Sequence, residues 1–191
     1  MGMTHSGKLA AALACCIAAS AALVGQASAD RGFDERFHRE GTFVIEDFCD
    51  VAGLTVSDDS VVDAKIRDRP RGPDRFPYHL AHFRETEVLT NLANDKAVTL
   101  VNVLTEKDLK VTNNGDGTLT TVVFGTGNTV LYGADGKAIA RNPGQGRARF
   151  LFDHGGTPND PSDDELIDFE IVKESTGRTD DVCPAAVEAL T

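Results

Sequence analysis

The chain is short of several things that announce a function. No serine stands in a G-x-S-x-G nucleophile elbow, and the pair of glycines in Gly125-Thr126-Gly127 lies between strand-like runs, not at a strand-to-helix phosphate loop. Serine-hydrolase and nucleotide-binding chemistry therefore lack their signatures. Cysteine is scarce, four in 191 residues, and none repeats a CxxC or CxxH spacing, which excludes the common zinc modules. Acids are plentiful, but among 30 Asp and Glu no carboxylate pair stands out as glycosidase machinery. The sequence implies no cofactor.

Cations are in deficit too: 19 Lys and Arg against 30 acids, a net charge of −11. Nucleic acids and anionic membrane surfaces both require a basic face, so this balance argues against either as a partner. A solvated acidic surface that keeps an exported protein soluble accounts for the charge.

Apolar runs are short, with one exception. Residues 9–24 are almost wholly apolar or small, follow Lys8, and lead to Ala27-Ser28-Ala29. A signal peptidase accepts small side chains at the first and third of those positions, so residues 1–29 read as a signal peptide. The run is too short and too rich in alanine for a membrane span, which needs about 20 apolar residues. Cys15 lacks the neighbours of a lipobox. Cleavage after Ala29 leaves residues 30–191 as one domain, secreted, with no membrane attachment. The lost segment holds one Lys and no acid, so the charge moves from −11 to −12.

Cys15 and Cys16 leave with the signal. Cys49 and Cys183 remain, and a pair in an exported chain reads as a disulfide.

What the rest of the chain has is alternation. Val62, Ala64 and Ile66 share one face of a strand, with Asp63, Lys65 and Arg67 on the other. Ala148, Phe150 and Phe152 alternate with Arg147 and Arg149. Ile167, Phe169 and Ile171 alternate with Asp168 and Glu170. Further strand-like runs cover 42–48, 54–57, 78–89, 97–104, 119–124, 129–132 and 138–140. Glycine- and asparagine-rich turn signals fall at 94–95, 113–117, 125–128, 133–136 and 142–144, and residues 69–77 read as a proline-rich loop. Only residues 184–190 suggest a helical turn. The expected fold is all-β: an antiparallel up-and-down β-barrel of about eight strands, with a sandwich as second choice. The three apolar sets should meet in one core, and Arg149 should face Asp168 or Glu170.

Several segments are familiar. FVIEDFC (43–49), RETEVLTNLANDKAVT (84–99), NNGDGTLT (113–120), TGNTVLYG (126–133), GKAIARNPGQ (136–145) and FDHGGTPNDPSDDE (152–165) resemble a group of small exported actinobacterial proteins of uncharacterised function. The resemblance implies secretion and a Cys49–Cys183 disulfide. It implies no activity. The strand layout is similar in outline to the eight-stranded barrels of the allene oxide cyclase and dirigent type, a likeness of fold from which no catalytic residue follows.

The most chemically dense stretch is Tyr78 to Glu85. On a strand, Tyr78, His82 and Arg84 share a face, while His79 and Glu85 take the other, so the two histidines cannot share a metal. Tyr78, His82 and Arg84 are the candidate ligand-binding residues. The acidic loop at 153–165 has the oxygen ligands calcium favours but no EF-hand spacing, and 113–117 fits that register no better. No metal site is assigned. Two functions follow. One is a secreted, non-enzymatic binding protein for a small apolar ligand or a protein partner. The alternative is a barrel-type isomerase, cyclase or hydrolase using His82, Arg84 and a carboxylate.

Overall fold

The computed structural model describes residues 34–178 and 180–191. The expected signal peptide lies outside the described residues. Seven strands follow one another in chain order: β1 (Asp34–Ile45), β2 (Val56–Arg71), β3 (Phe76–Asn91), β4 (Ala97–Asn113), β5 (Thr118–Tyr132), β6 (Ala138–Asp153) and β7 (Glu165–Lys173). They form one antiparallel meander in the order β1 to β7. The protein is all-β, as the alternation implies.

No ladder joins β1 to β7 among the described residues. An odd strand count leaves the two edges parallel to one another, so the antiparallel ladder that an eighth strand would make is not on offer. The count is seven because several presumed turns lie inside long strands. Gly125 to Asn128 sits within β5, residues 142–144 within β6, and Pro70 pairs with Pro77 across the β2–β3 ladder. The glycines serve close packing. A Cβ on Gly127 would meet the Val103 carbonyl at 2.6 Å, and one on Gly144 would collide with the Ser175 side chain.

The register assigns every strand residue to one of two faces. One face, here the inner, carries the buried residues Val56, Ala64, Ile66, Ala81, Leu89, Val98, Leu131, Ala140, Ala148 and Phe150. At one end of it lies the helix α1 (Val182–Leu190), started by the Asp181 carboxylate, which accepts the Cys183 N–H at 3.1 Å. Ala186 and Leu190 pack there with Leu54, Val56, Leu89, Val98, Leu131 and Ala140. The last helical carbonyl, on Leu190, accepts from the side-chain amides of Asn91 and Asn94, both at 2.9 Å. The Cys49–Cys183 disulfide ties the helix to the β1–β2 connection, with Cα atoms 5.5 Å apart. To reach it the chain takes positive φ at Asp47, Cys49 and Asp50. Each such residue costs roughly 1 kcal/mol or more, which the crosslink and the Gly53 N–H bond to Asp47 offset.

Beyond the helix the inner face has no described layer over it, yet Ala64, Ile66, Ala81 and Phe150 stay buried. A strongly twisted sheet achieves this by curling about its own face. The expected core is corrected at its edge. Phe150 faces Phe169 with ring centroids 5.0 Å apart, and Phe169 is half-buried. Ile167 and Ile171 are 53% and 48% exposed. β7 is the last strand and pairs on one side only among the described residues, and register shifts at Leu151/Phe152 and Arg147/Ala148 bend it. The expected Arg149–Glu170 pair is present at 2.9 Å.

Candidate functional site

Tyr78, His82 and Arg84 do share a face, and it is the outer one. His82 and Arg84 are exposed, and Tyr78 is half-buried. His82 Nδ1 lies 2.9 Å from the Thr105 hydroxyl, across the β3–β4 ladder. Its partner is therefore a hydroxyl, not the carboxylate that an acid–base pair requires. Arg84 stands opposite Asp63 on one side and Val103 on the other. The Tyr78 hydroxyl accepts the Val111 N–H at 3.2 Å, and the Arg71 guanidinium lies 5.2 Å from its ring centroid.

The outer face is mostly exposed or half-buried, Val130 being an exception. It carries nearly all the strand cations. Among the described strand residues Arg39 alone, of all Lys and Arg, falls on the inner face by register. The inner face is correspondingly acidic. Asp58, Glu85 and Glu87 gather on β2 and β3 beyond the helix-covered end. Burial lifts the Glu87 carboxyl, and its neighbours Glu85 and Asp58 add to it, to about 7. Burial also raises Glu85, against the lowering effect of an Asn102 hydrogen bond, and raises Asp58. The Asp58 Oδ1 atom is shut off from solvent with no hydrogen-bond partner.

A second inner cluster lies further along the same strands. His79 Nδ1 is 2.8 Å from Asp68 Oδ1, directly across the β2–β3 ladder. The His79 backbone N–H donates to Asp108 Oδ2 at 2.7 Å. Burial works to lower the His79 pKa, but the Asp68 hydrogen bond and the surrounding carboxylates of Asp68, Asp108 and Glu106 outweigh it and raise it. Burial pushes Asp108 up to about 6, against the lowering pull of His79 and Arg71 and with Asp68 adding to the rise. Glu106 is buried and raised for the same first reason. The sequence separates His79 from His82 by face, but nothing in it marks Asp68 and Asp108 as the partners of His79. That pairing depends on cross-strand register, which alternation alone does not supply.

The acidic loop spends its carboxylates on its own turns. Asp153 accepts the Gly155 N–H, Asp160 accepts the Ser162 N–H, and Asp163 accepts the Thr157 hydroxyl. Burial, with Asp163 beside it, holds the Asp164 carboxyl up at about 6. No cluster of three or more His, Cys, Asp or Glu side chains suited to a metal ion occurs among the described residues. An open depression of about 850 Å³ lies beside the end of the helix, lined in part by Lys96, Thr99, Tyr132 and Ala189, away from Tyr78, His82 and Arg84. No family model, curated protein or solved structure matches the chain.

Proposed function

We propose that the protein is exported and works by binding, without catalysis, through the outer face of its sheet. The observation that carries this reading is the placement of Tyr78, His82 and Arg84. They stand together on an exposed face, with His82 bonded to a hydroxyl and no carboxylate bonded to it. A ligand held there meets a rigid ladder of backbone that fixes the side chains, and strand-borne sites are more precise than loop-borne ones. The form of the reading that needs an apolar ligand enclosed by a barrel finds less support. No ladder joins β1 to β7 among the described residues, and the inner face is rich in carboxylates. A small polar molecule, a polymer or a protein partner suits the outer face better.

The test is native mass spectrometry of protein purified from its own culture medium. The expected result is an adduct or a co-purifying partner that is lost in the His82→Ala/Arg84→Ala variant. A bare mass for the wild type contradicts the reading.

A second reading rests on the buried His79–Asp68 pair at 2.8 Å, an arrangement that serves acid–base catalysis in an isomerase or hydrolase. In that case His79→Gln abolishes a turnover that His82→Ala leaves intact.

A further inference from the structure

One outer-face row is unusually cationic. In register across the sheet, Arg67 on β2 faces Leu80, which faces Lys107 on β4, then Phe124, then Arg147 on β6, then Lys173 on β7. Lys107, Arg147 and Lys173 are exposed and take part in no ion pair among the described residues. Arg67 pairs with Asp34 at 3.1 Å with its side chain 39% exposed. Lys65 and His82 stand in the next row on one side, and Arg149 lies on the other.

Two features of the row argue for a ligand. Arg147 and Lys173 face each other directly, and like charges opposite one another across strands destabilise a sheet. An anion lying between them relieves that repulsion. Lys107 Nζ is held 5.3 Å from the Phe124 ring centroid, which fixes a cation against an apolar platform in the middle of the row. The balancing acids lie on the inner face, in the loops and toward the edges of the outer face, where Asp34, Asp63 and Glu170 stand.

Spacing narrows the partner. Arg67, Lys107 and Arg147 occupy alternate strands, so their origins are roughly 10 Å apart at a strand separation of about 4.8 Å, and Lys173 on the strand next to Arg147 makes with it one doubled charge at the end of the row. Phosphates along one nucleic-acid strand advance by roughly 3.4 Å of helix axis and would leave most charges unmatched. A polysaccharide with one carboxylate per disaccharide carries more widely spaced charges. We propose that the row Arg67, Lys107, Arg147 and Lys173 binds a linear acidic polysaccharide of that kind, laid across the strands. The proposal rests on the outer-face binding reading and names its ligand class.

The experiment is calorimetric titration of the exported protein with hyaluronate, which bears one carboxylate per disaccharide, with neutral dextran, duplex DNA and phosphatidylglycerol vesicles as separate arms. The expected result is binding to hyaluronate, none to dextran, and weaker binding to DNA and vesicles. Affinity should fall at least tenfold in Lys107→Glu/Arg147→Glu and remain unchanged in the inner-face variant Glu87→Gln. Thermal melts check folding of each variant, and Lys107→Gln/Arg147→Gln replaces the charge reversal if that one fails to fold. Absence of hyaluronate binding overturns the proposal. So does equal binding by the neutralised variant, or tighter binding to DNA or vesicles. If hyaluronate fails while an adduct lost in His82→Ala/Arg84→Ala persists, this inference falls alone. If both are absent, the outer-face reading falls with it.

Discussion

The two faces of this sheet are made from the same strands and differ in what they do with charge. The inner face takes acids out of water and leaves them crowded, so that Glu87 holds its proton up to about 7 and Asp108 up to about 6. The outer face keeps Lys107, Arg147 and Lys173 in water with no ion pair among the described residues, while Arg67 at the end of their row pairs with Asp34. Alternation along each strand makes the separation possible, because neighbouring residues always take opposite faces. A net charge of −11 says nothing of either face alone. A cationic row coexists with an acidic chain when the acids lie on the other face, in the loops and toward the sheet edges.

Removing the clamp on the inner face should have the largest effect. The Cys49–Cys183 bond spans 134 residues and holds α1 over one end of that face. Replacing both by Ala should cost about 4–5 kcal/mol in denaturant unfolding, the upper range for so long a loop. An unchanged midpoint would mean that the helix stays in place without the bond.

The next largest effect concerns Glu87. Its folded value of about 7 stands above the ordinary glutamate value of 4.5, so the folded state holds this proton more tightly. Stability should therefore fall as pH rises from 4.5 through 7, by about 2–3 kcal/mol from this group, and Glu87→Gln should remove most of that fall. Unfolding curves at pH 5 and pH 8 measure it. A variant as pH-sensitive as the wild type would place the effect elsewhere.

His79 titrates with the same sign. Its pKa is raised above 6.5, so its contribution is present below that value and is lost as pH rises through the folded one. His79→Gln should remove this limb, and it should cost about 1–3 kcal/mol at pH 6 by leaving buried Asp68 without its partner. The ring's titration is read directly by NMR, and a pKa below 6.5 would contradict the assignment.

The outer face should yield the smallest change. Arg149 and Glu170 are 52% and 58% exposed at 2.9 Å. A double-mutant cycle on the pair should give a coupling well under 1 kcal/mol.

Much of this was legible in the alternation. The all-β meander, the inward turn of Ala64, Ile66, Ala148 and Phe150, and the Arg149–Glu170 pair all follow from period-2 patterning once a hairpin joins β6 to β7. The grouping of Tyr78, His82 and Arg84 followed from the same rule. The strand count did not, because Gly125, Gly127 and Gly144 resemble turn residues when read along the chain. At Gly127 and Gly144 the missing side chain lets another segment approach, while Gly125 faces open space. Ile167 and Ile171 alternate as a buried strand would, but an edge strand has a neighbour on one side only. The cationic row was illegible for a further reason. Arg67, Lys107, Arg147 and Lys173 are far apart in sequence, and only the register aligns them.

The most direct test of a ligand-binding outer face is lysine acetylation of the protein with and without hyaluronate, read by peptide mass spectrometry. The account predicts protection of Lys65, Lys107, Lys110 and Lys173, all on the outer face by register, with Lys96 and Lys137 in the turns modified at an unchanged rate. Equal protection of all six lysines, or protection confined to Lys96 and Lys137, would contradict it.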